Sequence, residues 1–292
     1  MFFGSIPALV TPFRDGEVDV SAFRDFVDWQ IAEGSNGLVP CGTTGEVATL
    51  SAEEHRLVVT TCVEAAAGRV PVIAGCGGYN TAAVIAATKM AHEAGADAAL
   101  CVVPYYNKPS QAGLIAHFEA VADASPLPVV VYNVPSRTVA DISVDSLAEV
   151  ARHDKVVAIK DASGNLARVT AQRLACGEDF CQLSGNDDMA LGFNAMGGVG
   201  CISVTANVAP RLCADFQAAT REGRWDDALK LQDRLYPLHD AMFADASPGP
   251  AKYALAKVRG GMSEEVRLPL TPPSDAARRA IDDALRHAGF GG

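Results

Sequence analysis

Val156-Val157-Ala158-Ile159-Lys160-Asp161-Ala162-Ser163 is a short, β-branched apolar run that closes on an amine. Such a run reads as a strand buried on both faces. Lysine is almost never fully buried unless it is paired. At the carboxyl end of a buried strand, a desolvated amine is a nucleophile toward carbonyls. The same lysine can also snorkel to the surface or sit in a structural ion pair. The rest of the chain has to decide.

Seven further runs of this kind flank it: Ser5–Val10, Gly37–Cys41, Val70–Gly75, Ala98–Val103, Pro128–Asn133, Cys181–Gly185 and Gly200–Val204. Helical patterns lie between them, with Ala22, Phe23, Phe26, Val27 and Ile31 forming one apolar stripe. Ser51-Ala52-Glu53-Glu54 carries a capping-box signature, and Gly68 and Gly95 follow helical stretches. Strands alternating with helices imply right-handed βαβ units and a parallel sheet. Eight units close an α/β (β/α)8 TIM barrel. An open doubly wound sheet is disfavoured, because the nearest dinucleotide fingerprint, Gly75-Cys76-Gly77-Gly78-Tyr79-Asn80, fails at its last position. After Asn207 only helical patterns remain, over Arg211–Arg221, Trp225–Phe243, Pro250–Arg259 and Ser274–His287. The chain therefore divides into a catalytic barrel over 1–224 and a small C-terminal helical domain over 225–292.

The 292 residues are 49% apolar and 20% charged, enough to fill a large core, and the net charge of −11 argues against nucleic acid and anionic membranes as partners. The amino terminus does not read as a signal peptide, and no stretch is long and apolar enough to span a membrane. Eight cysteines contain no C-x-x-C pair, and Cys41, Cys76, Cys101 and Cys201 fall in strand-like runs. They read as small core hydrophobes in a reducing cytoplasm. The six histidines show no ligand spacing, so a metal-dependent aldolase is disfavoured and no metal is expected.

In a (β/α)8 barrel, chemistry gathers where strands end. The second run ends in Gly42-Thr43-Thr44-Gly45-Glu46, a turn that can present N–H groups to a carboxylate or simply be tight. The fourth leads into Tyr105-Tyr106, as readily interface packing as catalysis. Tyr132 holds the place on the fifth run that Lys160 holds on the sixth, and adjacent strands lie about 4.8 Å apart, so phenol and amine can meet. Arg137 can clamp a carboxylate or merely sit on a solvated loop. Asp187-Asp188 could bind a metal, but helix capping is the better reading. One amine, phenols, hydroxyls and an anion clamp on one face suit Schiff-base chemistry on a small α-keto acid.

The motifs Gly42-Thr43-Thr44-Gly45-Glu46, Tyr132-Asn133-Val134-Pro135-Ser136-Arg137-Thr138 and Ile159-Lys160-Asp161-Ala162-Ser163-Gly164 together resemble the dihydrodipicolinate synthase family. These are pyruvate-dependent class I aldolases related to N-acetylneuraminate lyase, and the resemblance runs nearly end to end. It implies an imine between Lys160 and pyruvate, with no cofactor. It implies a proton relay of Tyr132, Thr44 and Tyr106, the last reaching into a neighbouring subunit. Thr43 and Thr44 would hold the pyruvate carboxylate, with the backbone at Gly185 and Ile202 lining the pocket. Arg137 would bind the carboxylate of L-aspartate-4-semialdehyde, and the condensation would feed diaminopimelate and lysine synthesis. The expected assembly is a homotetramer, a dimer of dimers. Sialic-acid lyases share the lysine and tyrosine without Arg137. Two other readings are an aldolase for a sugar acid or 2-keto-3-deoxy acid, and a non-catalytic pyruvate or lysine sensor. The imine-forming amine and its relay weigh against the sensor.

In lysine-inhibited relatives the inhibitor site matches Ala48, His55, Tyr79, Ala83 and Tyr105 here. Ala83 stands where those relatives often have a glutamate for the inhibitor's amine, and Tyr79 where they often have asparagine. Losing a charge-assisted bond of about 1.5–3 kcal/mol predicts weak or absent feedback. A steady-state titration is expected to show no inhibition by sub-millimolar lysine.

Overall fold

The structure, a computed structural model, describes residues 2–291. Seven parallel strands lie in the order β1 (Gly4–Pro7), β9 (Gly200–Ser203), β8 (Cys181–Ser184), β7 (Val156–Asp161), β6 (Val129–Asn133), β5 (Ala98–Val102) and β4 (Ile73–Gly75). The eighth expected strand, Gly37–Cys41, forms only isolated bridges, Ala8 to Val39 and Leu38 to Val72. Those bridges nonetheless close the ring. Val39 N donates to Pro7 O and Leu9 N to Val39 O on one side, and Ile73 N donates to Leu38 O on the other. Pro40 has no N–H to extend the ladder, and Cys41 takes a left-handed φ of 56°, so a regular strand cannot persist there. The result is an α/β barrel with helices outside and a C-terminal helical region.

The seven observed strands are one to three residues shorter at some ends than their apolar runs, and seven of the eight expected runs form strands. Alternation along them sorts side chains into two cores. Ile6, Val39, Ile73, Leu100, Val130, Ala158, Leu183 and Ile202 fill the barrel interior. Leu9, Ala99, Val131 and Ile159 pack outward against helices such as α1 (Val20–Ala32) and α2 (Ala52–Ala66). The capping box at Ser51 and Glu54 is formed as its sequence predicts. All eight cysteines are free, and the four in strand-like runs are buried.

One element was not anticipated. Phe13–Arg14 (β2) and Glu17–Val18 (β3) pair antiparallel around Asp15 and Gly16, both at positive φ. An Asp-Gly pair is the sequence signal for this turn. After β9 the chain continues as α9 (Pro210–Arg221), which packs on β1, then α10 (Trp225–Ala241), α11 (Gly249–Arg259) and α12 (Asp275–Ala288), with α10 packed on both α9 and α12. Among the described residues no helix is long and apolar enough to cross a membrane.

His117 on α4 (Gln111–Ala124) is buried, with Nδ1 2.9 Å from Thr81 Oγ1 and, among the described residues, no partner for Nε2. Burial pulls its pKa down to about 4. The unfolded chain therefore binds more protons between the ordinary histidine value and this one, so its stabilising contribution is full above about pH 6.5 and falls as pH drops toward 4. Urea midpoints are expected to decline across that window, and His117→Gln to flatten the slope.

Candidate active site

β6 and β7 pair with Tyr132 directly opposite Lys160 and Asn133 opposite Asp161. Alternation then divides each neighbouring pair. Tyr132 and Lys160 face the barrel interior, while Asn133 and Asp161 face the helices. Asp161 accepts from Arg168 Nε (3.1 Å), Gln172 Nε2 (2.7 Å) and Ser163 N (2.8 Å), which ties the carboxyl end of β7 to α7 (Ala167–Cys176). Asn133 donates to Asp141 and accepts from Ile142 N, fixing the end of β6. The polar residues just past the interior pair thus hold it from behind.

Lys160 is only 6% exposed, and its Nζ sits 4.2 Å from the centroid of the Tyr132 ring. Among the described residues it has neither an ion-pair nor a hydrogen-bond partner. Lys252 is the other buried lysine and behaves oppositely. At 1% exposure it donates to Glu46 Oε1 at 2.5 Å and to Glu265 O at 2.7 Å. Burial pulls its pKa down to about 8 against the opposing pull of Glu46. Both lysines are buried, and only one is neutralised.

The free amine opens on a cavity of about 90 Å³. Its floor is apolar (Ala8, Val39, Leu100 and Val134), and its walls carry Tyr132, Lys160, Gly185 and the Gly42-Thr43-Thr44 turn. In that turn, the Gly45 and Glu46 N–H groups are used by the Gly42 and Thr43 carbonyls, whereas the Thr43 and Thr44 N–H groups donate to no protein acceptor among the described residues. Free N–H groups at a turn form a concavity that receives an anion. Behind it, a Cβ on Gly75 would lie 2.0 Å from Cys41 O, so the left-handed turn needs a glycine on the adjacent strand. A Cβ on Gly185 would lie 3.1 Å from Lys160 Cε, so that glycine makes room for the lysine stem.

Arg137 lines this cavity and also the larger one of about 480 Å³ beside it, which adds Asp188, Tyr236 and Asp240. It stands between an inner chamber and an outer one. Ile202 lies in the buried interior layer and is not among the cavity's lining residues. Tyr106 is 89% exposed, has a positive φ and packs against the Tyr79 ring, outside the cavity. Among the five other singled-out positions, Tyr79 and Tyr105 stack edge to face at 5.2 Å, Ala48 and Ala83 are exposed, and His55 Nε2 lies 2.8 Å from Gly75 O. Desolvation lowers the His55 pKa. Asp187 is not a helix cap: it accepts from Ser203 Oγ, Val204 N and Thr205 N, anchoring the loop after β9. Among the described residues no cluster of side chains could hold a metal ion. Ser136, Asn186, Phe243 and Ser247 also line the cavity, and sequence reading did not select them. Phe243 and Ser247 come from the helical tail, whose place over the barrel mouth no local pattern reveals.

The model of the dihydrodipicolinate synthetase family matches residues 1–288. The chain belongs to that family. A protein of Rhizorhabdus wittichii named 4-hydroxy-tetrahydrodipicolinate synthase is 65% identical over 99% of this chain and 100% of its own length. One of Zymomonas mobilis with the same name is 62% identical over 99% of both chains. Among solved structures, the chloride-inhibited dihydrodipicolinate synthase of Acinetobacter baumannii complexed with pyruvate superposes with a TM-score of 0.97 at 41% identity, covering 100% of both chains. The superposition shows the same fold over the whole chain.

The two buried lysines should respond oppositely to loss of charge. Lys160→Met removes an unpaired buried amine and is expected to leave the thermal midpoint unchanged or raised. Lys252→Met strands the buried Glu46 carboxylate and is expected to cost about 3–5 kcal/mol, as read by denaturant unfolding.

Proposed function

We infer that the chain is a lyase of the class I aldolase type that condenses pyruvate with L-aspartate-4-semialdehyde, as a 4-hydroxy-tetrahydrodipicolinate synthase of the route to diaminopimelate and lysine. The observation that carries this reading is the unpaired, buried amine of Lys160 beside Tyr132, facing a small cavity with free turn N–H groups. An amine without a carboxylate partner has a lone pair that no ion pair holds back from attacking a carbonyl.

Lys160 Nζ attacks the C2 carbonyl of pyruvate, and the carbinolamine loses water to give an iminium. The cationic nitrogen then accepts the electron pair left when a proton departs C3, forming the enamine. The enamine carbon attacks the aldehyde of the second substrate, whose oxygen takes a proton. Attack of that substrate's amine on the imine carbon releases Lys160 and closes the ring. Tyr132, in contact with the amine through its ring, is our candidate for moving protons at these steps, with Thr44 and Tyr106 completing the relay. The free N–H groups of Thr43 and Thr44 suit the pyruvate carboxylate, Gly185 leaves room beside the lysine, and Ile202 backs the pocket from the interior layer. Arg137, lining both chambers, suits the carboxylate of the semialdehyde, and this guanidinium separates the reading from an aldolase for neutral sugars. No cofactor is required, because the imine itself is the electron sink.

Tyr106 can act only if another subunit receives it, so we propose a homotetramer built as a dimer of dimers, functioning in the cytoplasm. Light scattering on a size-exclusion column checks the assembly.

Borohydride reduction with pyruvate should leave a reduced pyruvyl adduct on Lys160, located by peptide mass analysis; an unmodified Lys160 would falsify the reading. Tyr132→Phe is expected to lower kcat by about 10²–10⁴-fold. Arg137→Ala should raise KM for the semialdehyde about 10- to 150-fold, the equivalent of one charge-assisted contact, with little change for pyruvate.

A further inference from the structure

A buried carboxylate outside the cavity, Glu46, lies two residues beyond Thr44 and is braced from the C-terminal region. It is a non-glycine residue held at a φ of 56°, a left-handed conformation that costs about 1–2 kcal/mol. Such a residue persists where the surroundings over-determine it. Here one carboxylate oxygen accepts from Lys252 Nζ at 2.5 Å, and the other from Arg267 N at 3.0 Å. Both donors come from the C-terminal region, and Lys252 lies 206 residues away in sequence. Arg267 reaches further along the same segment, donating to Thr49 O and pairing with Glu54. Phe13 lies beneath, with Lys252 Nζ and the Arg267 guanidinium each 4.2 Å from its ring centroid. On the other side of the turn, Thr11 Oγ1 donates to Gly45 O at 2.8 Å.

These anchors converge on the backbone between Gly42 and Thr49, and their effect is geometric. Glu46 N donates to Thr43 O, so the rotation of residue 46 is coupled to the peptide planes that leave the Thr43 and Thr44 N–H groups unspent. A left-handed residue freed of its ion pair relaxes to a less costly φ, and that rotation turns the peptide planes preceding it. We propose that Lys252, through its ion pair with Glu46, is a positioning residue that sets the Thr43-Thr44 turn and hence the affinity for the substrate carboxylate. This rests on the reading of that turn as the pyruvate-binding element.

The test is a borohydride-trapping titration, in which the adduct on Lys160 is quantified against pyruvate concentration in the absence of the second substrate, using the full-length assembled protein. In Glu46→Gln, which keeps shape but removes the charge, and in Lys252→Met, the half-saturating pyruvate concentration is expected to rise about ten- to a hundredfold. Trapping at saturating pyruvate should still reach the unmutated level, and KM for the semialdehyde should stay within about twofold of it. The double variant should resemble the single ones, since either change breaks the same pair. A merely structural pair lowers the thermal midpoint without moving half-saturation, and that result overturns the proposal. Should Lys252→Met yield no folded protein, Glu46→Gln alone decides by the same reading. Absence of any adduct in the unmutated protein would instead defeat the pyruvate reading, which keeps the two failures distinct.

Discussion

The ring of strands closes through its weakest member, and the site depends on that closure. A full strand at Gly37–Cys41 would carry the chain straight past the barrel mouth. Pro40 and the left-handed Cys41 instead end the ladder after its two bridges and fold the following residues inward. The Thr43-Thr44 turn can then face the amine from across the cavity. The surrounding seven strands pair in parallel, with a register shift between β6 and β7 at Val129 and Val130, at the opposite end of β6 from Tyr132. Gly75 on the neighbouring strand accommodates the close approach that results.

Two buried lysines in one chain separate stability from reactivity. Lys252 has a carboxylate, a carbonyl and an aromatic face around it, and its charge is compensated. Lys160 has the aromatic face alone. A protein selected only for stability would replace such an amine with an apolar side chain of similar volume. Keeping it requires the surrounding polar bonds to act elsewhere, and Asp161, one residue along, is spent on Arg168 and Gln172 on the opposite face of the strand. Strand alternation is what keeps the adjacent carboxylate from quenching the amine.

Local pattern made much of this legible. The strand runs, the capping box, the buried cysteines and the pairing of Tyr132 with Lys160 all follow from periodicity and register, which depend on near neighbours or on one strand step. The kink at Pro40 was in the sequence but its consequence was not, because a proline marks where a ladder fails without saying where the chain goes next. The Asp15-Gly16 turn carries its usual signal. Asp187 reads as a cap because local helix rules speak first, whereas its partners lie 16 to 18 residues downstream. The contribution of Phe243, Ser247 and Lys252 was invisible for a plainer reason. Contacts between chain ends leave no periodic trace, and only the closed fold brings them together.

The span between Glu46 and Lys252 also bears on biogenesis. Synthesis runs from the amino terminus at roughly 5–20 residues per second, so the barrel strands emerge before the helix that carries Lys252. During that interval the turn has its sequence but lacks its brace. The two donors that brace Glu46, Lys252 Nζ and Arg267 N, are thus the last parts of the turn's surroundings to be made.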